Sequence, residues 1–68
     1  MTMHPVVSTN VLAVGYDPQI HTLRVRFRSG GTYDYYGVSP ALFEQMLVPN
    51  PWRRVGRRVK AHNYAKVA

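Results

Sequence analysis

Between Thr22 and Arg28 the chain alternates without interruption, with Leu23, Val25 and Phe27 on one side and Arg24, Arg26 and Arg28 on the other. Apolar against cationic residues at a strict period of two specify a half-buried antiparallel strand, one face on a core and one in water. Ser29-Gly30-Gly31 follows as a hairpin turn, glycine being free to take positive φ, and Thr32 to Tyr36 is the return strand. A three-residue loop over Ser29 to Gly31 pairs Arg28 with Thr32, Phe27 with Tyr33, Arg26 with Asp34 and Val25 with Tyr35. Tyr33 and Tyr35 then share the core face, and Asp34 meets Arg26 in a cross-strand pair of roughly 0.2–1 kcal/mol. A two-residue loop would turn both tyrosines onto the arginine face. The longer loop is therefore expected.

The flanking segments extend this hairpin. Asn10 to Tyr16 alternates, with Leu12, Val14 and Tyr16 on one side and Val11, Ala13 and Gly15 on the other, and Asp17-Pro18-Gln19 ends it in a turn. Ser39-Pro40 is an N-cap followed by a first-turn proline. The helix it opens carries Leu42, Phe43, Met46 and Leu47 as an apolar stripe until Pro49 stops it. Asn50-Pro51 repeats the start signal for a second helix over about Pro51 to His62. Gly56 within it costs about 1 kcal/mol relative to alanine, which predicts close packing against another backbone. Asn63 to Ala68 fits either a short edge strand, with Tyr64 and Lys66 on one side, or a frayed tail. Residues 1–8 have no period and carry Pro5, so they read as a loose lead-in to a single domain over residues 9–68. The order β-β-β-α-α, with a possible last short β, predicts an α+β fold. Its three- or four-stranded antiparallel sheet would have two helices packed on one face.

A chain of 68 residues buries only about 60% of the surface its unfolded form exposes, so its stability margin is thin. It contains no cysteine, which excludes disulfides and thiolate metal sites and fits a reducing, cytoplasmic setting. No apolar run approaches the roughly 18–20 residues that span a bilayer, and residues 1–10 lack the pattern of a secretory signal. Nine Lys and Arg against three acids give a formal net charge of +6 and a pI near 10.4. That excess attracts polyanions, because each cation placed at a phosphate releases a condensed counterion. It also suits an acidic protein surface or anionic lipid heads.

The charge is concentrated on the second helix. At about 100° per residue, Trp52, Val55, Gly56 and Val59 fall on one side, while Arg53, Arg54, Arg57, Arg58 and Lys60 fall opposite with no acid among them. A merely solvated helix mixes signs to gain i,i+4 pairs, so an all-cationic face is expected to bind anions, the alternative being a face that only keeps the chain in solution. Seven arginines against two lysines favour forked contacts to phosphate or carboxylate. Arg24, Arg26 and Arg28 extend this surface if the second helix lies at the sheet edge; otherwise they are an exposed strand face partly neutralised by Asp34. Trp52, Tyr33 and Tyr35 are expected in the core, with Tyr36 and Tyr64 as the exposed aromatics. His4, His21 and His62 lie on a tail, a turn and a helix end without metal-ligand spacing. Asp17, Asp34 and Glu44 sit on three different elements, and no glycine-rich phosphate loop is visible. No cofactor and no metal is expected.

The run Val14-Gly15-Tyr16-Asp17, then Thr22-Leu23-Arg24-Val25-Arg26-Phe27, a glycine turn, and Tyr33-Asp34-Tyr35-Tyr36-Gly37-Val38 resembles the KTSC domain. Gly56, Val59-Lys60 and Tyr64 follow in that family's order, so the similarity covers roughly residues 8 to 67. The chain departs from it between Pro49 and Arg58, where many members carry a small-residue, glycine-rich stretch. The family is named for a C-terminal segment of some lysyl-tRNA synthetases and is common as small bacterial and phage proteins, which implies RNA by association only. The resulting expectation is a non-enzymatic domain that binds nucleic acid, RNA more than DNA, through Arg53, Arg54, Arg57, Arg58 and Lys60, with Arg24, Arg26 and Arg28 in support. The alternative is an accessory or phage-host regulatory protein docking on an acidic partner or self-associating through a sheet edge, with no membrane contact. A minor alternative is a small basic ribonuclease using arginine, lysine, histidine and tyrosine side chains.

Overall fold

The alternating segment forms the middle strand of a five-stranded antiparallel sheet. A computed structural model describes all residues, Met1 to Ala68. In chain order the elements are β1 (Met3–Pro5), β2 (Val11–Asp17), β3 (Thr22–Phe27), β4 (Thr32–Tyr36), α1 (Pro40–Met46), α2 (Pro51–Lys60) and β5 (Tyr64–Lys66). The sheet runs β1-β2-β3-β4-β5, each strand beside its sequence neighbour.

The fold is the expected α+β class, but the strand count is five rather than three or four. Both edge strands are three residues long, too short for a period to show. Residues 1–8 are therefore not loose: Met3 pairs with Gly15, His4 with Val14 and Pro5 with Ala13. Pro5 is tolerated because an edge strand needs only one side of its ladder. At the other edge Tyr64 pairs with Tyr35 and Lys66 with Tyr33, so the C-terminal segment is a strand and not a tail.

The hairpin loop has the expected length in a different place. Arg24 pairs with Asp34, Val25 with Tyr33 and Arg26 with Thr32, which makes Arg28-Ser29-Gly30 the loop. The Phe27 N–H donates to the Gly31 carbonyl and the Gly30 N–H donates to the Phe27 carbonyl, with Gly30 at φ 112°. This is the three-residue turn that closes on a positive-φ residue, and Gly30 is the residue that meets the requirement. The shift moves every pairing by two positions. Tyr33 and Tyr35 keep the core face, but Asp34 faces Arg24 instead of Arg26.

In β2 the expected alternation breaks at Leu12. Val11 pairs with Phe27 and Ala13 with Arg26, leaving Leu12 as the extra residue of a bulge. One inserted residue reverses the facing of everything before it, so Val11 is buried and Leu12 is 41% exposed.

Both helices cover the face that carries Leu23 and Val25. Ten residues form one core: Val11, Val14, Leu23, Val25, Tyr35, Val38, Leu42, Met46, Val55 and Val59. Ser39 accepts the Leu42 N–H and caps α1 as its sequence predicts. Asn50 does not cap α2. It lies in the left-handed region at φ 58°, makes no side-chain cap bond, and donates its N–H to the Val7 carbonyl at 2.7 Å. Asparagine is one of the few side-chain-bearing residues that adopt this conformation readily. That sharp reversal swings α2 back across the sheet.

Candidate functional site

The inner side of α2 is fixed by Val55, Gly56 and Val59, all buried against the sheet. Helical geometry then decides where the cations go. Arg53, Arg57 and Lys60 form one outer row next to Trp52, and with Trp52, Gly56 and Arg54 they line a cleft of about 380 Å3. The molecule contains a single ion pair, Arg24 with Asp34, so no carboxylate compensates this row.

The other expected contact residues are placed differently. Arg54 turns its head onto α1: its Nε donates to the Pro49 carbonyl at 3.2 Å, and its Nη2 to the Gln45 and Val48 carbonyls. A guanidinium there compensates the unpaired carbonyls and negative dipole at a helix C-terminus. Arg58 is exposed on the same flank as Arg54, outside the cleft. Arg24 and Arg26 project from the sheet face opposite the helices and do not extend the α2 surface. Arg24 makes a forked contact to Asp34, with Nε–Oδ1 2.7 Å and Nη2–Oδ2 3.0 Å, and this hydrogen bonding raises its pKa despite some desolvation. Arg28 sits in the turn, where its Nε donates to the Ser8 carbonyl at 2.8 Å. His62 closes α2, its Nδ1 lying 2.9 Å from the Arg58 carbonyl, which assigns the proton to Nδ1.

Gly56 has a different role from the one its position suggests. A methyl group there would meet the Trp52 ring at 3.0–3.2 Å, so the missing side chain admits the indole and not a neighbouring backbone. The indole lies across its own helix and reaches the sheet, edge-on to Phe27 with ring centroids 4.9 Å apart.

A second cleft, which the sequence reading did not find, opens on the far side of Trp52. Phe27, Tyr33, Tyr35, Trp52, Tyr64 and Lys60 line about 420 Å3. Four strand residues make its floor: Phe27 ends β3, Tyr33 and Tyr35 alternate on β4, and Tyr64 comes from β5. Burial, and then the charges of Tyr33 and Tyr64, raise the pKa of Tyr35, so its phenol stays protonated. The signal available in the sequence was the shared parity of Phe27, Tyr33 and Tyr35. That parity predicts core, because nothing in the sequence marks where α2 stops covering the sheet.

A family model for the KTSC domain matches residues 7–51. A protein of Tsukamurella paurometabola is 47% identical over 45 residues, spanning 66% of this chain and 67% of that protein. The crystal structure of a KTSC domain protein from Yersinia pestis superimposes with a TM-score of 0.88 at 29% identity, covering 98% of this chain and 97% of the other. The family match takes in β2, β3, β4 and α1 but stops at the first residue of α2. The cationic row lies beyond it.

Proposed function

The chain belongs to the KTSC domain family, and we propose that it is a non-enzymatic binding domain which holds nucleic acid, RNA ahead of DNA, along the outer row of α2. The observation that carries this reading is the row itself: Arg53, Arg57 and Lys60 line one cleft, and the only ion pair in the molecule lies elsewhere. Three like charges on one helix side repel one another. A ligand phosphate relieves that repulsion and releases counterions, whereas a neutral ligand does neither. Seven helical steps separate Arg53 from Lys60, about 10 Å of rise at 1.5 Å per residue. A row of that length runs alongside a phosphate backbone, and its arginine forks suit phosphate oxygens.

Equilibrium binding of a labelled RNA oligomer across a salt series tests the reading. Three phosphate contacts predict a log–log slope of about −2 on a single strand, and each alanine at Arg53, Arg57 or Lys60 is expected to flatten it by about 0.7. The RNA is expected to survive incubation intact, and cleavage would move the chain to the ribonuclease reading. Salt-independent binding, or binding unchanged in the folded triple variant, overturns the proposal. Nuclease-resistant capture of one stoichiometric acidic protein from the native cell would replace it with the protein-docking reading.

A further inference from the structure

The five aromatic rings of the second cleft make a closed circuit. Phe27 contacts Tyr33 at 5.8 Å, Tyr33 contacts Tyr64 at 5.9 Å, and Tyr64 contacts Tyr35 at 5.8 Å. Tyr35 contacts Trp52 at 6.2 Å, and Trp52 returns to Phe27 at 4.9 Å. The cluster is not sealed: Tyr64 is 61% exposed, and Tyr33, Phe27 and Trp52 are only half-buried. Tyr35 is 5% exposed, yet its hydroxyl has no partner within the protein and is not closed off from solvent. A buried ring with a reachable, unpaired donor gives the floor of the groove a polar point in an apolar setting. Pockets for small flat ligands are built this way, and the volume of about 420 Å3 falls within the usual range of about 300–1,000 Å3.

Ring clusters take two kinds of guest: a cation held on the ring faces, or a flat π-system laid against them. Charge decides between them. Lys60 stands on the rim, Arg53 and Arg57 adjoin across Trp52, neither cleft is lined by a carboxylate, and the chain carries a net +6. A cationic guest would meet an uncompensated positive field. A flat neutral ring carried on a polyanion satisfies both clefts together, because Trp52 and Lys60 line each of them. We propose that the aromatic groove seats an unpaired base of a single-stranded nucleic acid whose phosphates lie on Arg53, Arg57 and Lys60. This rests on reading α2 as the nucleic-acid contact, and it adds strandedness. A duplex keeps its bases stacked on one another and reaches only the cationic row.

Trp52 is the sole tryptophan and reports on the groove directly. The full chain is titrated with a ten-nucleotide oligoadenylate as RNA and as DNA, with a duplex of the same length, and with inorganic polyphosphate. Affinity is read from anisotropy or competition, and stacking from Trp52 emission. Either single strand is expected to quench Trp52, and the tighter one identifies the polymer. Duplex and polyphosphate are expected to bind without quenching. Tyr64→Leu, at an exposed edge position, is expected to weaken single-strand binding roughly 5- to 150-fold, the span of one stacked base, and to leave duplex binding unchanged. Tyr64→Phe restores the affinity. Equal affinity for single strand and duplex with Trp52 unquenched, or an unaffected Tyr64→Leu variant of native circular dichroism, overturns the groove and leaves the α2 reading standing. Preferential quenching by tetramethylammonium overturns it in favour of a cation cage. Absence of binding to every polynucleotide removes both proposals.

Discussion

Tyr35 lies in the hydrophobic core and on the floor of the groove at once, and its acid–base behaviour follows from that position. Burial, then charge on Tyr33 and Tyr64, raises its pKa above the ordinary 10.0. Tyr16 shifts the same way through burial and then Asp17, and its hydroxyl donates to the Val38 carbonyl. In the unfolded chain both phenols titrate near their ordinary value, so above about pH 10 the unfolded state loses protons that the folded state retains. The stabilising contribution is complete below that pH and is lost as pH rises through the folded values. Urea midpoints are therefore expected to hold steady up to about pH 10 and then fall, and Tyr35→Phe is expected to fall less steeply than the parent. Parallel decline of the two proteins would mean that Tyr35 ionises no less readily when folded. The Arg24–Asp34 pair makes a related point about single side chains. The sequence places Asp34 on the arginine face, but which arginine it meets depends on where the turn falls, and parity alone does not fix that.

The second helix separates structure from binding along its own surface. Arg54 borders the cleft but spends its head on carbonyls at the end of α1, while Arg57, three residues on, lines the cleft without an acidic partner. Arg54→Ala is expected to lower stability by about 1–2 kcal/mol through lost charge-assisted bonds to that helix end. That corresponds to roughly 4–8 °C in Tm per kcal/mol for a domain of this size. Arg57→Ala is expected to stay within about 0.5 kcal/mol of the parent and to weaken RNA binding instead. Thermal melts of the two variants, run beside the salt series, check this, and equal losses of stability would dissolve the division. The amphipathy of α2 was legible because ten residues show two full turns of period. The destination of the Arg54 head was not, because it depends on the left-handed turn at Asn50 that brings the end of α1 within reach. The groove was hidden for a comparable reason. Phe27, Tyr33 and Tyr35 have the parity of core residues, and only the packing of β5 and α2 leaves their outer edges open.

Strand order sets how far apart stability and binding lie in the whole molecule. β1 and β5 occupy opposite edges of the sheet, so the segment before residue 9 supports the fold from the side remote from the groove. Three residues with a proline carry no readable period, yet β1 is held from several directions. Met3 and Thr2 crowd Gly15, where a methyl group would come within 2.7–2.8 Å of them. Val6 packs on the core, its N–H donates to the Leu12 carbonyl, and the Val7 carbonyl accepts from Asn50 at the start of α2. A domain of this length has only about 3–10 kcal/mol in total. Losing the half-buried Met3 and Val6 with the β1 ladder is expected to remove about 2 kcal/mol, and Tm is expected to fall by about 8–16 °C. Deletion of residues 1–6, followed by melting and by amide exchange along β2, measures that loss. An unchanged Tm would show that β1 frays in solution and that the sheet effectively begins at β2. Below the lowered Tm, the shortened chain is expected to bind single-stranded oligomers with the affinity of the full chain, because Trp52, Lys60 and Tyr64 lie at the other edge. Loss of binding without loss of folding would place the contact surface on β1 and not on α2.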